Sequence, residues 1–254
     1  MNKPAELHHV ACPVCRNATE LYDVVDFNKN CEEARGVFLP LSGRPIYYHR
    51  CPQCAFTFAP EFQAWSDDDF LHHIYNERYV EIDPDYLQTR PLNNAGFLHE
   101  LFGADRGRIR HLDYGGGNGV LSTALGGQGW DSTTYDPFPG DARTLQELGK
   151  FNLITAFEVF EHVPDVGQLI GNLRALMDEE CVVIFSTLLS DGQISPNNRL
   201  TWWYASPRNG HISLFSKQSL TIVAEQNGLA FGSFSSSTHC FISKLPQWAE
   251  KLLK

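Results

Sequence analysis

Two stretches of this 254-residue chain carry paired groups with metal-ligand spacing. Cys12-Pro13-Val14-Cys15 and Cys51-Pro52-Gln53-Cys54 are C-P-x-C knuckles, each able to present two sulfurs to one ion from a tight turn. Together they complete the tetrahedral four-thiolate shell that Zn²⁺ prefers. A closed shell leaves no open coordination position, so this ion would be structural. His8, His9 and His49 could substitute as ligands, but two complete cysteine pairs leave no need for them. Cys31, Cys181 and Cys240 have no matched spacing and read as buried, inert thiols. Further along, Glu158, Glu161 and His162 stand at i, i+3 and i+4, one face of a helical turn. With His211 they could hold a divalent cation, Mg²⁺ or, given the imidazoles, Mn²⁺, which would bind a hydroxyl and lower its pKa. Alternatively, His162 or His211 titrates near neutrality and acts as general base, the glutamate–histidine pair bonding only locally.

A third stretch, Ile109 to Gly119, runs from an apolar approach through Asp113 into closely spaced glycines. That pattern predicts a buried strand turning sharply into a helix with a ligand at the turn, where a Cβ would block close approach. A dinucleotide fingerprint would need Gly or Ala at Val120, so that pattern fails. What fits is acid-x-Gly-x-Gly-x-Gly, formed by Asp113, Gly115, Gly117 and Gly119.

At these residues the chain resembles the class I S-adenosylmethionine-dependent methyltransferases, whose first motif has this form. The run Glu158-Val159-Phe160-Glu161-His162-Val163 is also typical of that class. The resemblance covers residues 109 to 243 and implies S-adenosylmethionine as cofactor, gripped at Asp113, Gly115, Gly117 and Gly119. It implies ribose at Asp136, since a carboxylate accepts two hydroxyl hydrogens well, and adenine against Phe138. Phe157 and Glu158 would lie near the methyl-bearing sulfonium. One departure stands out: the passage from Asp136 to Phe151 is too short for the usual helix–strand–helix, so the third strand and its adenine-contacting acid are abbreviated or absent. The Glu-x-x-Glu-His…His pattern is similar to that of metal-dependent small-RNA 2′-O-methyltransferases and polyprenyl-catechol O-methyltransferases. The cysteine module resembles those of bacterial sugar methyltransferases and of ribosomal-RNA base methyltransferases.

The elements that must position these groups alternate. Strands are expected at 130–135, 151–157 and 181–188, with helices at 119–125 and 166–177 and an antiparallel pair at 229–235 and 239–243. The predicted class is α/β, a Rossmann-like, doubly wound, mostly parallel sheet. Three parts are expected: a zinc-ribbon-like module over residues 1–62, a helical connecting or lid segment over 63–107, and a cofactor-binding domain over 108–254. In the second, Ser66-Asp67-Asp68-Asp69 reads as a helix cap, a further helix spans 94–102, and Tyr75, Tyr79, Tyr86 and Arg90 either pack the linker or close over the cofactor. The polar stretch 190–210, with Trp202-Trp203-Tyr204 at its middle, either packs on the domain or lines an acceptor pocket.

Net charge of −10 argues against a broad nucleic-acid footprint. No apolar run approaches the ~20 residues of a membrane span. An N-terminus without an apolar core and seven cysteines point to a reducing compartment, the cytoplasm. The leading expectation is O-methylation of a small hydroxylated acceptor, a sugar or metabolite. RNA methylation is the alternative on substrate. A non-catalytic protein whose zinc ribbon docks a protein partner, with a vestigial cofactor site, is the alternative on class.

Overall fold

The computed structural model describes residues 10–138 and 141–253; His8 and His9 lie outside them. Alternation sets the first pair of strands. In β2 (Pro45–Arg50) Ile46 and Tyr48 turn inward and Tyr47 outward, and the strand pairs antiparallel with β1 (Glu20–Asp26). β3 (Thr57–Phe58) follows the second cysteine knuckle and pairs with β2.

The connecting segment begins with α1 (Asp67–His73). Ser66 Oγ accepts from the Asp69 N–H while the Asp69 carboxylate accepts from the Ser66 N–H, the reciprocal cap its sequence predicts. α2 (Tyr79–Ile82) is a single turn. α3 (Thr89–Phe102) starts five residues before the expected Asn94, because Pro91 falls in its first turn, where its missing N–H has no intrahelical partner to lose. Its buried Ala95, Leu98 and Phe102 share a core cluster with Leu121 and Leu125.

The main sheet is built from β4 (Arg110–Tyr114), β5 (Asp131–Tyr135), β6 (Phe151–Ala156) and β7 (Met177–Ser186), all parallel. α4 (Val120–Gly127), the one-turn α5 (Leu145–Leu148) and α6 (Val166–Leu176) make the crossovers. After β8 (Ser213–Leu214) and α7 (Lys217–Gln226), β9 (Ala230–Ser233) and β10 (Thr238–Ile242) form the expected antiparallel pair. The order is β5-β4-β6-β7-β10-β9, with β10 antiparallel to β7. β6 and β7 are buried on both faces, as parallel strands under two layers must be. Among the described residues the chain forms no strand in passing from β5 to β6, and β5 is the sheet edge.

β8 is not among the strands expected from sequence. Ser213–Leu214 pairs antiparallel with β3, completing a second sheet in the order β1-β2-β3-β8. Phe56, Phe58 and the buried knuckle cysteines therefore share one core with Phe185 of β7, Phe160 just beyond β6 and Phe215 just beyond β8. Among the described residues no helix is long and apolar enough to cross a membrane.

Candidate active site

The parallel strands end together at Tyr114, Tyr135, Ala156 and Ser186, the edge where open α/β sheets bind ligands. At this edge β4 passes into the glycine turn. Gly115, Gly117 and Gly119 have φ of +72°, +53° and +76°. The turn hangs from β5 through the Gly115 N–H, donated to the Tyr135 carbonyl at 2.8 Å. A Cβ on Gly117 would meet nothing within 4 Å, so the tip of the turn opens onto free space. Gly116, which the sequence motif passes over as a variable position, is under the tightest constraint. A Cβ there would stand 2.3 Å from Asp113 Oδ2.

Asp113 thus works from beneath the turn. It is 4 % exposed, and its register neighbour on β6, Thr155, donates its hydroxyl to Oδ1 at 2.9 Å. Thr155 also bonds the buried His111 ring, which reaches Ser132 on β5, so a polar chain crosses three strands below the turn. Burial pushes the Asp113 carboxyl up to about 7, against the Thr155 hydrogen bond, and drops His111 to about 3. Asp136 sits at the end of β5. Its carboxylate accepts from the Gly117 N–H at 2.8 Å and the Phe138 N–H at 2.9 Å, and burial raises its pKa. Phe138 packs on the rings of Phe70 and Tyr75, which ties the connecting segment to this strand end. Phe157 is half-buried against the α3–α4 cluster.

The expected four-residue cation set divides. Glu161, His162 and His211 come together, with ligand atoms within 4.8 Å of one another. Glu158 does not share their face, because only Phe160–His162 forms a turn of helix and Glu158 precedes it with φ +54°. Ser186 holds it there: its hydroxyl oxygen accepts from the Glu158 N–H at 2.8 Å and its O–H donates to Glu158 Oε1 at 2.7 Å. Glu158 Oε2 accepts from Arg90 at 3.2 Å, and Arg90 also pairs with Asp83.

Neither histidine titrates near neutrality. Burial drops His162 to about 4, with Arg90 adding repulsion, and holds His211 well below the usual imidazole range, with His162 adding to the effect. Both are neutral imidazoles at pH 7. His162 Nδ1 bonds the Tyr75 hydroxyl at 3.1 Å, and its Nε2 lies 4.0 Å from Glu161. His211 Nδ1 donates to the Tyr204 carbonyl at 2.9 Å, which fixes the tautomer with an unprotonated Nε2. Glu161 is 0 % exposed and both its carboxylate oxygens lack a hydrogen-bond partner. Burial, then the Glu158 charge, raises it to about 8, against the Tyr204 and Thr187 hydroxyls that face it. An unpartnered buried carboxylate is costly, and two anchored imidazoles beside it are the donor set a divalent cation satisfies.

Cys31, read from sequence as a buried, inert thiol, lies at this centre: its Sγ is 3.7 Å from His211 Nδ1, and burial pushes it up to about 12, so it stays a thiol. Cys181 and Cys240 are core residues. The Tyr204 ring packs on His211 with centroids 4.2 Å apart, Trp202 is buried behind it, and Trp203 is partly exposed. Spacing gave no signal that would bring Cys31 or Ser186 here; chain segments far apart in sequence bring them in.

The four knuckle sulfurs also lie within 4.8 Å of one another, with Cys12–Cys54 at 3.6 Å and Cys15–Cys51 at 3.4 Å. Four thiolates around one zinc at about 2.3 Å would stand roughly 3.8 Å apart, so the cluster fits. The two knuckles are conformational twins. Arg16 and Ala55, each just past its second cysteine, have φ of +66° and +57° and donate back to the Cys12 and Cys51 carbonyls. His49 lies apart, bonded to Thr19.

The site thus combines a strand-end glycine turn, an acid closing the next strand and a neutral histidine pair, His162 beyond β6 and His211 beyond β7. The family model described as "Methyltransferase domain" matches residues 86–231, more than half of the chain, and the chain belongs to that family. The domain is that of an S-adenosylmethionine-dependent methyltransferase. Among curated proteins, the ubiquinone biosynthesis O-methyltransferase of Bordetella avium is 30% identical over 115 residues, covering 36% of this chain and 47% of that protein. The enzyme of the same name from Azorhizobium caulinodans is 31% identical over 102 residues, covering 32% and 40%. The chain thus spans about half the length of the curated relatives it matches. Among solved structures, an O-methyltransferase family protein from Burkholderia thailandensis superposes with a TM-score of 0.51 at 14% identity, over 72% of this chain and 64% of that one. Mitomycin 7-O-methyltransferase superposes at 0.50 and 13% identity, over 70% and 60%. At these identities the superpositions show the fold.

Proposed function

We propose that this protein methylates a hydroxyl of a small acceptor. A divalent cation would be held by Glu161, His162 and His211, and a structural zinc by Cys12, Cys15, Cys51 and Cys54. The observation that carries the proposal is the unpartnered Glu161 carboxylate between two neutral imidazoles, beside the open glycine turn. The names of the curated relatives support oxygen as the atom methylated. The parts are the zinc-ribbon-like module (1–62), the lid-like connecting segment (63–107) and the cofactor-binding domain (108–254).

S-adenosylmethionine, when bound, supplies an electrophilic methyl group. The Gly115–Gly119 turn presents N–H groups at the start of α4 to its amino-acid end. Asp136 accepts ribose hydroxyls, and Phe138 offers an apolar face to the adenine, whose usual strand is missing. Glu158 and Phe157 border the reacting methyl from the end of β6. Glu161, His162 and His211 would hold a divalent cation, which would supply Lewis acidity to an acceptor hydroxyl. The Tyr204 carbonyl holds His211 in the tautomer that leaves Nε2 free, the Tyr75 hydroxyl anchors the His162 ring at Nδ1, and with Trp202 these residues exclude water. Arg90, bridging the connecting segment to Glu158, lets that segment close over the cofactor.

Calorimetry with S-adenosylmethionine, followed by methyl transfer to a panel of catechols and hydroxylated sugars with added Mg²⁺ or Mn²⁺, tests the proposal. Cofactor should bind without acceptor, and transfer should fail in Glu161→Ala. Absence of cofactor binding would sink the enzymatic reading. Full activity in Glu161→Ala after chelation, with zinc retained, would sink the cation.

A further inference from the structure

We propose that the four-cysteine site sets the position of His211 through β3 and β8, so that its metal governs the Glu161–His162–His211 centre without influencing the cofactor turn. The inference rests on reading the four thiols as a zinc site. The path is short and made of backbone. The Cys51 N–H donates to the Phe56 carbonyl at 2.9 Å, closing the second knuckle onto the start of β3. β3 pairs with β8, Thr57 opposite Leu214 and Phe58 opposite Ser213. The next residue, Ala59, donates its N–H to the Ile212 carbonyl at 3.0 Å, and the Ile212 N–H donates to the Glu161 carbonyl at 2.9 Å. Ile212 therefore joins the N-terminal sheet to the loop carrying Glu161 and His162.

Two side chains reinforce the path. The Tyr48 hydroxyl, fully buried on β2, donates to the His211 carbonyl at 2.7 Å. Ser216, the cap of α7, donates its hydroxyl to the Cys54 carbonyl at 2.6 Å. On one side His211 is thus followed by a strand that ends on a zinc knuckle, and on the other its own carbonyl is held by the strand that enters that knuckle.

Zinc matters to this frame because β3 and β8 are two residues each. A ladder so short is marginal alone, and a small metal module draws its folding free energy from the metal. The cofactor turn hangs elsewhere. Gly115 bonds β5, Asp113 bonds Thr155 on β6 and Gly117 bonds Asp136, with no hydrogen bond among these to β3 or β8. Loss of zinc should release His211 and spare the cofactor grip.

The test uses the full chain with its zinc content measured, its histidines labelled with ¹⁵N, and the His211 ring signals assigned by comparison with His211→Gln. On zinc removal by chelation, or in Cys51→Ser, those signals should shift or broaden. Mn²⁺ affinity should fall by about tenfold or more, the usual effect of losing an outer support of a ligand. S-adenosylmethionine affinity should be unchanged. Tyr48→Phe, which retains all four cysteines, should move the same His211 signals with zinc still bound. Unmoved His211 signals in a zinc-free protein that still binds cofactor would overturn the inference and leave the zinc reading intact. Joint loss of the His211 signals and cofactor binding would overturn the selectivity that defines it. A protein that neither carries nor takes up zinc would overturn the zinc reading and the inference together. The His211 signals decide the matter whether or not Mn²⁺ binds.

Discussion

At the scale of residues, the glycine turn separates two reasons for lacking a side chain. Gly116→Ala would drive a methyl into the Asp113 carboxylate, with its nearest Thr134 atom also only 2.9 Å away. It should destabilise the fold by about 1–3 kcal/mol, as overpacking does, in thermal or urea melts. Gly117→Ala meets open space and carries only the cost of its left-handed backbone, about 1–2 kcal/mol. Its methyl would instead occupy the ligand side, so calorimetry should find a folded protein with weakened cofactor binding. Equal cofactor affinity in Gly117→Ala and the parent would place the ligand elsewhere. The polar chain beneath the turn predicts a pH response. His111 takes a proton near 6.5 in the unfolded chain and at about 3 in the fold. Its contribution is full above pH 6.5 and lost as pH falls toward 3. Asp113, raised from 3.8 to about 7, has the opposite sign: its contribution is full below 3.8 and lost as pH rises through 7. His111→Asn should therefore flatten the acid limb of the melting-temperature profile between pH 6.5 and 4. An unchanged limb would assign that titration to another group.

At the scale of elements, two of the polar contacts that tie the connecting segment to the site are Tyr75 with His162 and Arg90 with Glu158. They do different work. Tyr75 fixes the ring of a proposed cation ligand, so Tyr75→Phe should lower Mn²⁺ affinity by about tenfold while leaving cofactor affinity alone. Arg90 reaches the cofactor side, so Arg90→Ala should weaken S-adenosylmethionine binding and leave Mn²⁺ affinity alone. Parallel calorimetric titrations of both variants check this. A reversed pattern would mean that the segment covers the centre in another way. Much of this segment was legible from sequence. Ser66 and Asp69 announced the α1 cap, and the aromatic residues were singled out, but Pro91 pushed the predicted start of α3 too late.

At the scale of the whole molecule, the two sheets meet along β8. Phe56 and Phe58 stack on each other at 5.4 Å between ring centroids, and Phe56 lies 4.8 Å from Phe215. Cutting the chain before residue 63 would remove β3 and these rings, leaving Phe215 and the edge of β8 uncovered. Such a fragment should be less soluble and melt at a lower temperature than the full chain, by light scattering and circular dichroism. A fragment as soluble and as stable as the full chain would show that the cofactor-binding domain needs no help from the N-terminal sheet.

Local chemistry let the sequence determine the knuckles, the glycine turn, Asp136, the parallel alternation and the shortened passage after Asp136, because each is written in short-range spacing. The glutamate–histidine run was legible as a cluster, yet its membership was not. Glu158 leaves the set because its backbone adopts φ +54° against Ser186, a residue on the neighbouring strand. Burial moved both histidines away from neutral titration, and burial is a sum over the whole fold rather than a property of neighbours in sequence. The tertiary structure alone decided that Ser213–Leu214 would join β3, since two residues carry too little periodicity to declare a strand. That pairing places the four cysteines and His211 on one continuous backbone frame.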